Sequence, residues 1–239
     1  MGDFKVLVMC GGKGRRMEGA GGAFPKVLVE VSGRSLLAHK VAGYRRQGVE
    51  EFVFCVGHEA GLVREAVAHL GVKAEFSDLG LEAGILKRLH GARGLMSEPM
   101  VVGYGDTFAE LDLADLVRHH EESGCLATVV AAAIANPFGL VEWNGEGRVT
   151  RFNEKPVLNH YIGYLVLSPR VFEVLPPTLL DLPDGEGLVR AFQVLLALGE
   201  LGAYRFDGLQ VTVNTPRELD EARERLGQYF TMQENTHEK

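Results

Sequence analysis

Short apolar runs alternate with segments of helical period through the first half of the chain. Residues 4–8, Phe4-Lys5-Val6-Leu7-Val8, have the length and composition of a buried strand. Residues 52–57, 72–76 and 100–104 repeat that signal. Between them, 35–47 places Leu36, Leu37, Val41 and Tyr44 on one helical face and stops at Gly48. Residues 60–70 and 83–95 are also read as helices. Strand–helix alternation implies right-handed crossovers, and therefore an α/β, doubly wound, mostly parallel sheet flanked by helices. In such a sheet a ligand lies beyond the carboxyl ends of the strands.

The rhythm changes near residue 126. Residues 126–134 form a long apolar run, and 139–143 and 148–152 flank the turn Asn144-Gly145-Glu146-Gly147 as a hairpin. A strand over 162–167 stops at Ser168-Pro169. Helices are expected over 171–175 and 188–201, strands over 203–206 and 210–213, and a charged helix over 216–226. Asp112 is read as the N-cap of a helix ending at Ser123. No repeat or linker interrupts this order, so the expectation is a single domain over 1–227. Its nucleotide-binding half would be about 1–125 and its acceptor half about 126–227, with 228–239 a polar tail.

The chain has 239 residues, enough for one sizeable α/β core, and 46% of them are hydrophobic. A net charge of −7 argues against a surface that coats nucleic acid. Small anions are still compatible with it, because a local basic pocket can focus a field against the global sign. Cys10, Cys55 and Cys125 are odd in number, far apart and in or beside apolar runs. That pattern predicts reduced thiols and a cytoplasmic protein. No signal-peptide core and no membrane span are read.

Candidate chemistry concentrates after the first strand. Gly11, Gly12 and Gly14 are three glycines in four positions, and their bare N–H groups suit phosphate oxygens. Lys13, Arg15, Arg16 and Lys26 crowd the same loop without an expected carboxylate partner, so they call for an anion such as a polyphosphate. The dinucleotide fingerprint fails at Met17, and no Gly-Lys-Ser/Thr closes a P-loop. Asp106 ends the strand over 100–104. It either points into the ligand crevice, where a divalent cation must stand between it and phosphates, or caps a turn. Glu154 and Lys155, read at a strand end, would point to different sides, or form an exposed charged turn before Pro156. Backbone around Gly80 and Gly84 could meet a base, although an amphipathic helix explains the same letters. His119 and His120 are read on a polar helix face, and the eight histidines show no metal-ligand spacing.

The run from Gly11 to Met17, followed by Phe24-Pro25-Lys26, resembles the signature of the sugar-1-phosphate nucleotidylyltransferases, G-G-x-G-x-R-[LM] and then P-K. Tyr104-Gly105-Asp106, Phe138 to Glu142, Phe152 to Pro156 and Val213 to Pro216 resemble later elements of that family in the same order. The likeness extends over roughly residues 4 to 226. Asp78 to Arg88 is similar to a segment of the glucose-1-phosphate cytidylyltransferase branch, and the run into Leu111-Asp112-Leu113 to that branch and the heptose-1-phosphate guanylyltransferase branch.

This resemblance implies a Rossmann-like fold of the nucleotide-diphospho-sugar transferase type. It also implies transfer of a nucleotidyl group from an NTP to a sugar 1-phosphate. Arg16 would hold the β- and γ-phosphates and Lys26 the α-phosphate. Gly11, Gly12, Lys13, Gly14 and Arg15, with Gly80 and Gly84, would bind the rest of the nucleotide. Asp106 and Asn214 would hold Mg²⁺, Asn214 being equally readable as a helix cap. Lys155 would align the acceptor phosphate and Glu154 accept sugar hydroxyls. Gly139 and Gly163 would let the sugar lie against the backbone. Tyr161 stands where the family has Asn, which leaves the sugar open and admits another phosphate acceptor of phosphocholine type. Asn214 admits a non-catalytic binding module. Relatives are often oligomers, so a homo-oligomer is an open expectation.

Overall fold

Apolar positions of successive strands point alternately to two faces, and each face is covered by a separate layer of helices. The computed structural model describes residues 4–12, 24–183, 185–213, 215, 218–220 and 222–224. In chain order, β1 is Lys5–Met9, β2 Glu30–Val31, β3 Arg34–Ser35, α1 Leu36–Arg46, β4 Glu51–Val56, α2 Ala60–Ala68 and β5 Lys73–Asp78. Then come α3 Ile85–Gly91, β6 Met100–Tyr104, β7 Thr107–Ala109, α4 Leu113–Ser123 and β8 Ala127–Ala135. The rest are β9 Leu140–Trp143, β10 Val149–Asn153, β11 Val157–Leu167, α5 Val171–Val174, α6 Glu186–Leu198, β12 Leu201–Phe206 and β13 Gln210–Thr212.

The main sheet has seven strands in the order β12-β8-β11-β6-β1-β4-β5. β1 runs parallel to β4 and β6, β4 to β5, and β12 to β8. β11 runs antiparallel to both β6 and β8. The sheet is therefore mixed and mostly parallel in a single domain, as the alternation implied. On one face Val6, Val8 and Val101 pack with Leu37 and Val41 of α1, Val63 of α2 and Leu116 of α4. On the other, Leu7, Val53 and Val102 pack with Leu86 and Leu89 of α3 and Leu188 and Leu195 of α6. These residues are almost wholly buried, and full burial on both faces is what makes the central strands read as continuous apolar runs.

Local signals fix several boundaries. The Ser35 hydroxyl accepts from the N–H of Ala38 at 3.1 Å and starts α1. Asp112 accepts from the N–H of Asp115 at 3.0 Å and starts α4, as read from the sequence. Other boundaries differ. The helix expected over 83–95 is α3 followed by a separate 3-10 turn, Arg93–Leu95. The strand expected over 162–167 begins five residues earlier as β11, whose pairing with β8 shifts register between Tyr161 and Leu165. A three-residue strand after Asp106, β7, pairs with β13; its pairing is tertiary and left no periodic signal.

His120 corrects the reading of a polar helix face. It follows Leu113, Leu116 and Val117 at helical spacing, is buried, and one ring nitrogen lies 2.9 Å from the Thr128 hydroxyl.

Candidate active site

β1 and β6 lie side by side and end together, so the segments that leave them share one rim. Beyond that rim opens a cleft of about 850 Å³, within the range of small-molecule sites. Gly11, Gly12, Lys26, Tyr104, Asp106, Tyr161 and Gly163 are among its lining residues.

Lys26 opens a 3-10 turn, Lys26–Leu28, whose Val27 and Leu28 are buried. That anchorage directs Lys26 across the cleft, where Nζ donates to Oδ2 of Asp106 at 2.6 Å. The two side chains are 12% and 25% exposed, so the pair is partly desolvated and stronger than a surface pair. The expectation that this loop's cations lack a carboxylate is thereby corrected for Lys26. Its partner lies 80 positions away in sequence and is supplied only by folding.

The turn that carries Asp106 is tied on both sides. The Gly105 N–H donates to the Met9 carbonyl at 3.1 Å, and the Val213 N–H donates to the Asp106 carbonyl at 2.9 Å. Thr107 Oγ1 donates to Asp106 Oδ1 at 3.3 Å. The capping role considered for Asp106 is thus limited to a long bond from the next residue, and its second oxygen faces the cleft and Lys26.

Two buried cations support this rim. Sequence reasoning assigned neither a role. Arg88 of α3 donates to the carbonyls of Val56 at 2.6 Å, Gly80 at 2.7 Å, and Gly11 and Leu81 at 3.3 Å. A single guanidinium therefore joins the glycine loop, the end of β4 and the 78–84 segment, a use that Arg's fixed fork of donors permits. A Cβ on Gly11 would fall 2.5 Å from the guanidinium carbon, so this first glycine is needed for close approach. The second cation is Lys40, on the buried face of α1 with Leu37, Val41 and Tyr44. Burial pulls its ammonium down from the ordinary lysine value to about 7, opposed by the attraction of Asp106.

The other predicted residues divide. Tyr161 is 37% exposed, meets Tyr104 edge-on at 6.1 Å between ring centroids, and is backed by Phe192 at 5.6 Å. Gly163 has φ +77°, and a Cβ there would lie 2.9 Å from the Tyr104 ring, so glycine is required. Gly84 is the N-cap residue of α3, and Gly80 contributes its carbonyl to Arg88. Neither lines the cleft, whereas their neighbours Leu81, Glu82, Ala83 and Ile85 do.

Gly139, Glu154 and Lys155 lie off the cleft lining, at the base of the β9–β10 hairpin, with both charged residues exposed. Glu154 and Lys155 follow β10 rather than ending it, which corrects the alternating geometry expected for them. Lys155 holds φ +42° immediately before Pro156, a left-handed conformation that a side chain seldom adopts. Lys13, Gly14, Arg15, Arg16 and Asn214 lie outside the described residues.

Among the described residues no group of three or more His, Cys, Asp and Glu is placed to hold a metal ion. A divalent cation nevertheless fits Asp106. Its Oδ2 already holds a cation, the Lys26 ammonium, at the cleft rim. Mg²⁺ in phosphate sites takes one or two carboxylates and completes its shell with waters and phosphates.

A cleft at the carboxyl ends of parallel strands, with Gly11, Gly12, Lys26 and Asp106 in its lining, is where a doubly wound enzyme binds its nucleotide. Residues 5–178 match the family model for nucleotidyl transferases, and the chain belongs to that family. It is 28% identical, over 90% of its length and 93% of the relative's, to a Bacillus subtilis protein named probable glucose-1-phosphate cytidylyltransferase. It is 27% identical, over 90% of its length, to mannose-1-phosphate guanyltransferase beta-B of Xenopus laevis, and spans 62% of that longer protein. The inositol-1-phosphate CTP transferase of T. maritima superposes with a TM-score of 0.69 over 92% of this chain and 93% of its own, at 18% identity, a likeness of fold alone. No helix among the described residues is long and apolar enough to cross a membrane.

Proposed function

We propose that the chain transfers a nucleotidyl group from an NTP to a sugar 1-phosphate, giving an NDP-sugar and pyrophosphate. The observation that carries this reading is the meeting of Lys26 and Asp106 at 2.6 Å on the shared rim of β1 and β6. Opposite charges there match the two needs of the reaction, a cation for the α-phosphate and a carboxylate for a metal ion. The relatives named for glucose 1-phosphate and mannose 1-phosphate favour a sugar acceptor.

The acceptor phosphate oxygen is already ionised, so no general base is required. It attacks the α-phosphorus, the bond from that phosphorus to the bridging oxygen breaks, and pyrophosphate leaves in line. Lys26 leaves Asp106 to stabilise charge on the α-phosphate, and Arg16 holds the β- and γ-phosphates of the leaving group. Gly11, Gly12, Lys13, Gly14 and Arg15 cradle the triphosphate. Arg88 keeps the Gly11 carbonyl and the 78–84 segment in register beneath it. Asp106 and Asn214 are the residues that would hold Mg²⁺, whose chemistry is charge neutralisation between nucleotide and acceptor phosphates. Residues 1–125 act as the nucleotide half and 126–227 as the acceptor half.

Lys155 aligns the acceptor phosphate. Its strained φ supports that role, since left-handed side-chain residues concentrate at functional sites. Glu154, Lys155 and Gly139 sit off the cleft lining, so this role requires the β9–β10 hairpin base to approach the cleft when the acceptor binds. A second reading keeps the transfer and changes the acceptor. The corner of Tyr104 and Tyr161 offers rings where an amide would grip hydroxyls, which suits a non-sugar phosphate.

The test supplies Mg²⁺, each NTP in turn, and a panel of glucose 1-phosphate, mannose 1-phosphate, inositol 1-phosphate and phosphocholine, and measures pyrophosphate. Release with a sugar 1-phosphate is expected. Release only with the last two would favour the second reading, and nucleotide binding without release from any acceptor would mean a binding module.

A further inference from the structure

We infer that Lys40 is a positioning residue for the turn that presents Asp106, acting from beneath the sheet rather than from inside the cleft. Lys40 is 3% exposed and is not part of the cleft lining. Its Nζ donates to the Thr107 carbonyl at 2.5 Å and to the Tyr164 hydroxyl at 2.9 Å. The Tyr164 hydroxyl in turn donates to the same Thr107 carbonyl at 2.9 Å. Two donors from different elements, α1 and β11, thus converge on one main-chain oxygen immediately after Asp106.

The rings of Tyr164, Tyr44 and Phe108 surround the ammonium at 4.4, 5.4 and 5.4 Å from their centroids. They exchange its hydration for cation–π contact, while its hydrogen bonds go to the Thr107 carbonyl and the Tyr164 hydroxyl. A buried charge is expensive, and a neutral side chain would satisfy packing at this position. What Lys40 adds is a short bond to the Thr107 carbonyl, strongest while the side chain is protonated.

Set beside the bonds from Gly105 to Met9 and from Val213 to Asp106, the Lys40 bond completes a clamp. The main chain is held before, at and after Asp106 by β1, by the residue following β13 and by α1. A carboxylate that must exchange Lys26 for another cation during turnover needs such a fixed backbone, because only its side chain can then respond.

This inference rests on the reading of Asp106 as the carboxylate of the site. The test uses Lys40→Met, which keeps an unbranched side chain as far as Cε and removes the ammonium, with two readouts. Amide hydrogen exchange across 104–109 is expected to speed up at least tenfold, with that of β4 and α2 unchanged. Turnover is expected to fall at least tenfold, with the KM for nucleotide and for acceptor within threefold. Tyr164→Phe, which removes the second donor, should move both readouts in the same direction by less. A purely structural role would lower the melting temperature while leaving exchange at 104–109 and turnover of the folded enzyme as in the parent.

Exchange unchanged at 104–109 and turnover within twofold would overturn the inference. Should Lys40→Met not fold, unchanged exchange in Tyr164→Phe overturns it alone. If Asp106→Ala keeps normal turnover, it is the reading of the site that fails. If Asp106→Ala is inactive while Lys40→Met is normal in both readouts, only the role of Lys40 fails.

Discussion

The rim at Asp106 and the base of the β9–β10 hairpin are both assigned to one reaction, yet they are built in opposite ways. At the rim the described side chains and turn are tied: Lys26 to Asp106, Asp106 to Val213, Thr107 to Lys40 and Tyr164, and Arg88 to four carbonyls. At the hairpin, Glu154 and Lys155 are exposed, and the face formed by Val141, Trp143, Val149 and Phe152 is open as well. The difference follows from what each end must do. A triphosphate is the same in every turnover, and its transition state is stabilised by charges that need no reorganisation. An acceptor has to enter, be enclosed and leave as part of a larger product, which requires an element of low local stability.

The largest effect should come from the tied end. Lys26→Ala is expected to lower kcat by roughly 10² to 10³, measured as steady-state pyrophosphate release, with little change in acceptor KM. A loss confined to acceptor KM would place Lys26 at the wrong end of the cleft. At the hairpin, Lys155→Ala is expected to raise acceptor KM by about tenfold and leave the nucleotide KM unchanged, since it removes binding rather than a charge at the reacting phosphorus. Equal losses for both substrates would erase the contrast between the two regions.

Gly163→Ala addresses the seam between them. Its φ of +77° and the adjacent Tyr104 ring should together lower unfolding free energy by about 1–3 kcal/mol in denaturant titration. Parent-like stability would mean that β11 relaxes there without cost.

A stability effect of similar size to that of Gly163→Ala is expected from pH. Lys40 titrates near 7 in the folded protein against an ordinary 10.5. Between those values the unfolded chain binds the extra proton, so parent stability rises with pH across that window. Below about pH 7 the cost of burying the ammonium is fully present. The melting temperature of the parent relative to Lys40→Met should therefore climb from pH 7 to pH 9. Asp106 and Cys10 are the titratable groups that bear on it, both favouring the charged form. A flat difference would mean that the ammonium stays charged throughout.

Much of this architecture was legible in the chain because burial on both faces leaves an unmistakable trace. Val6-Leu7-Val8 and Met100-Val101-Val102 read as interior strands and are the interior strands. Asp106 was legible for the same reason, standing where such a run stops. Its partner was not, because an ion pair across 80 residues depends on how two loops fold over one rim.

Lys40, Arg88 and His120 teach something narrower. Residues 37, 40, 41 and 44 share one helical face, so period alone puts Lys40 inside with Leu37 and Val41. Arg88 lies between the buried Leu86 and Leu89 of α3 in the same way. A polar residue in register with a buried stripe is a signal in itself, overlooked when only the apolar members of the stripe are counted. The hairpin base left no such signal. Glu154-Lys155-Pro156 has the letters of an exposed turn and is one, and its proposed role depends on movement that no pattern of burial encodes.

The most direct test of the central claim is single-turnover pyrophosphate release by Asp106→Ala at saturating Mg²⁺, nucleotide and acceptor, with folding checked by circular dichroism. A folded variant whose release is slowed by roughly 10² or more is expected, because Asp106 is the carboxylate that meets Lys26 at the shared rim of β1 and β6. Release within a few-fold of the parent would contradict the account, since the chemistry would then proceed without the one carboxylate on which the site is built.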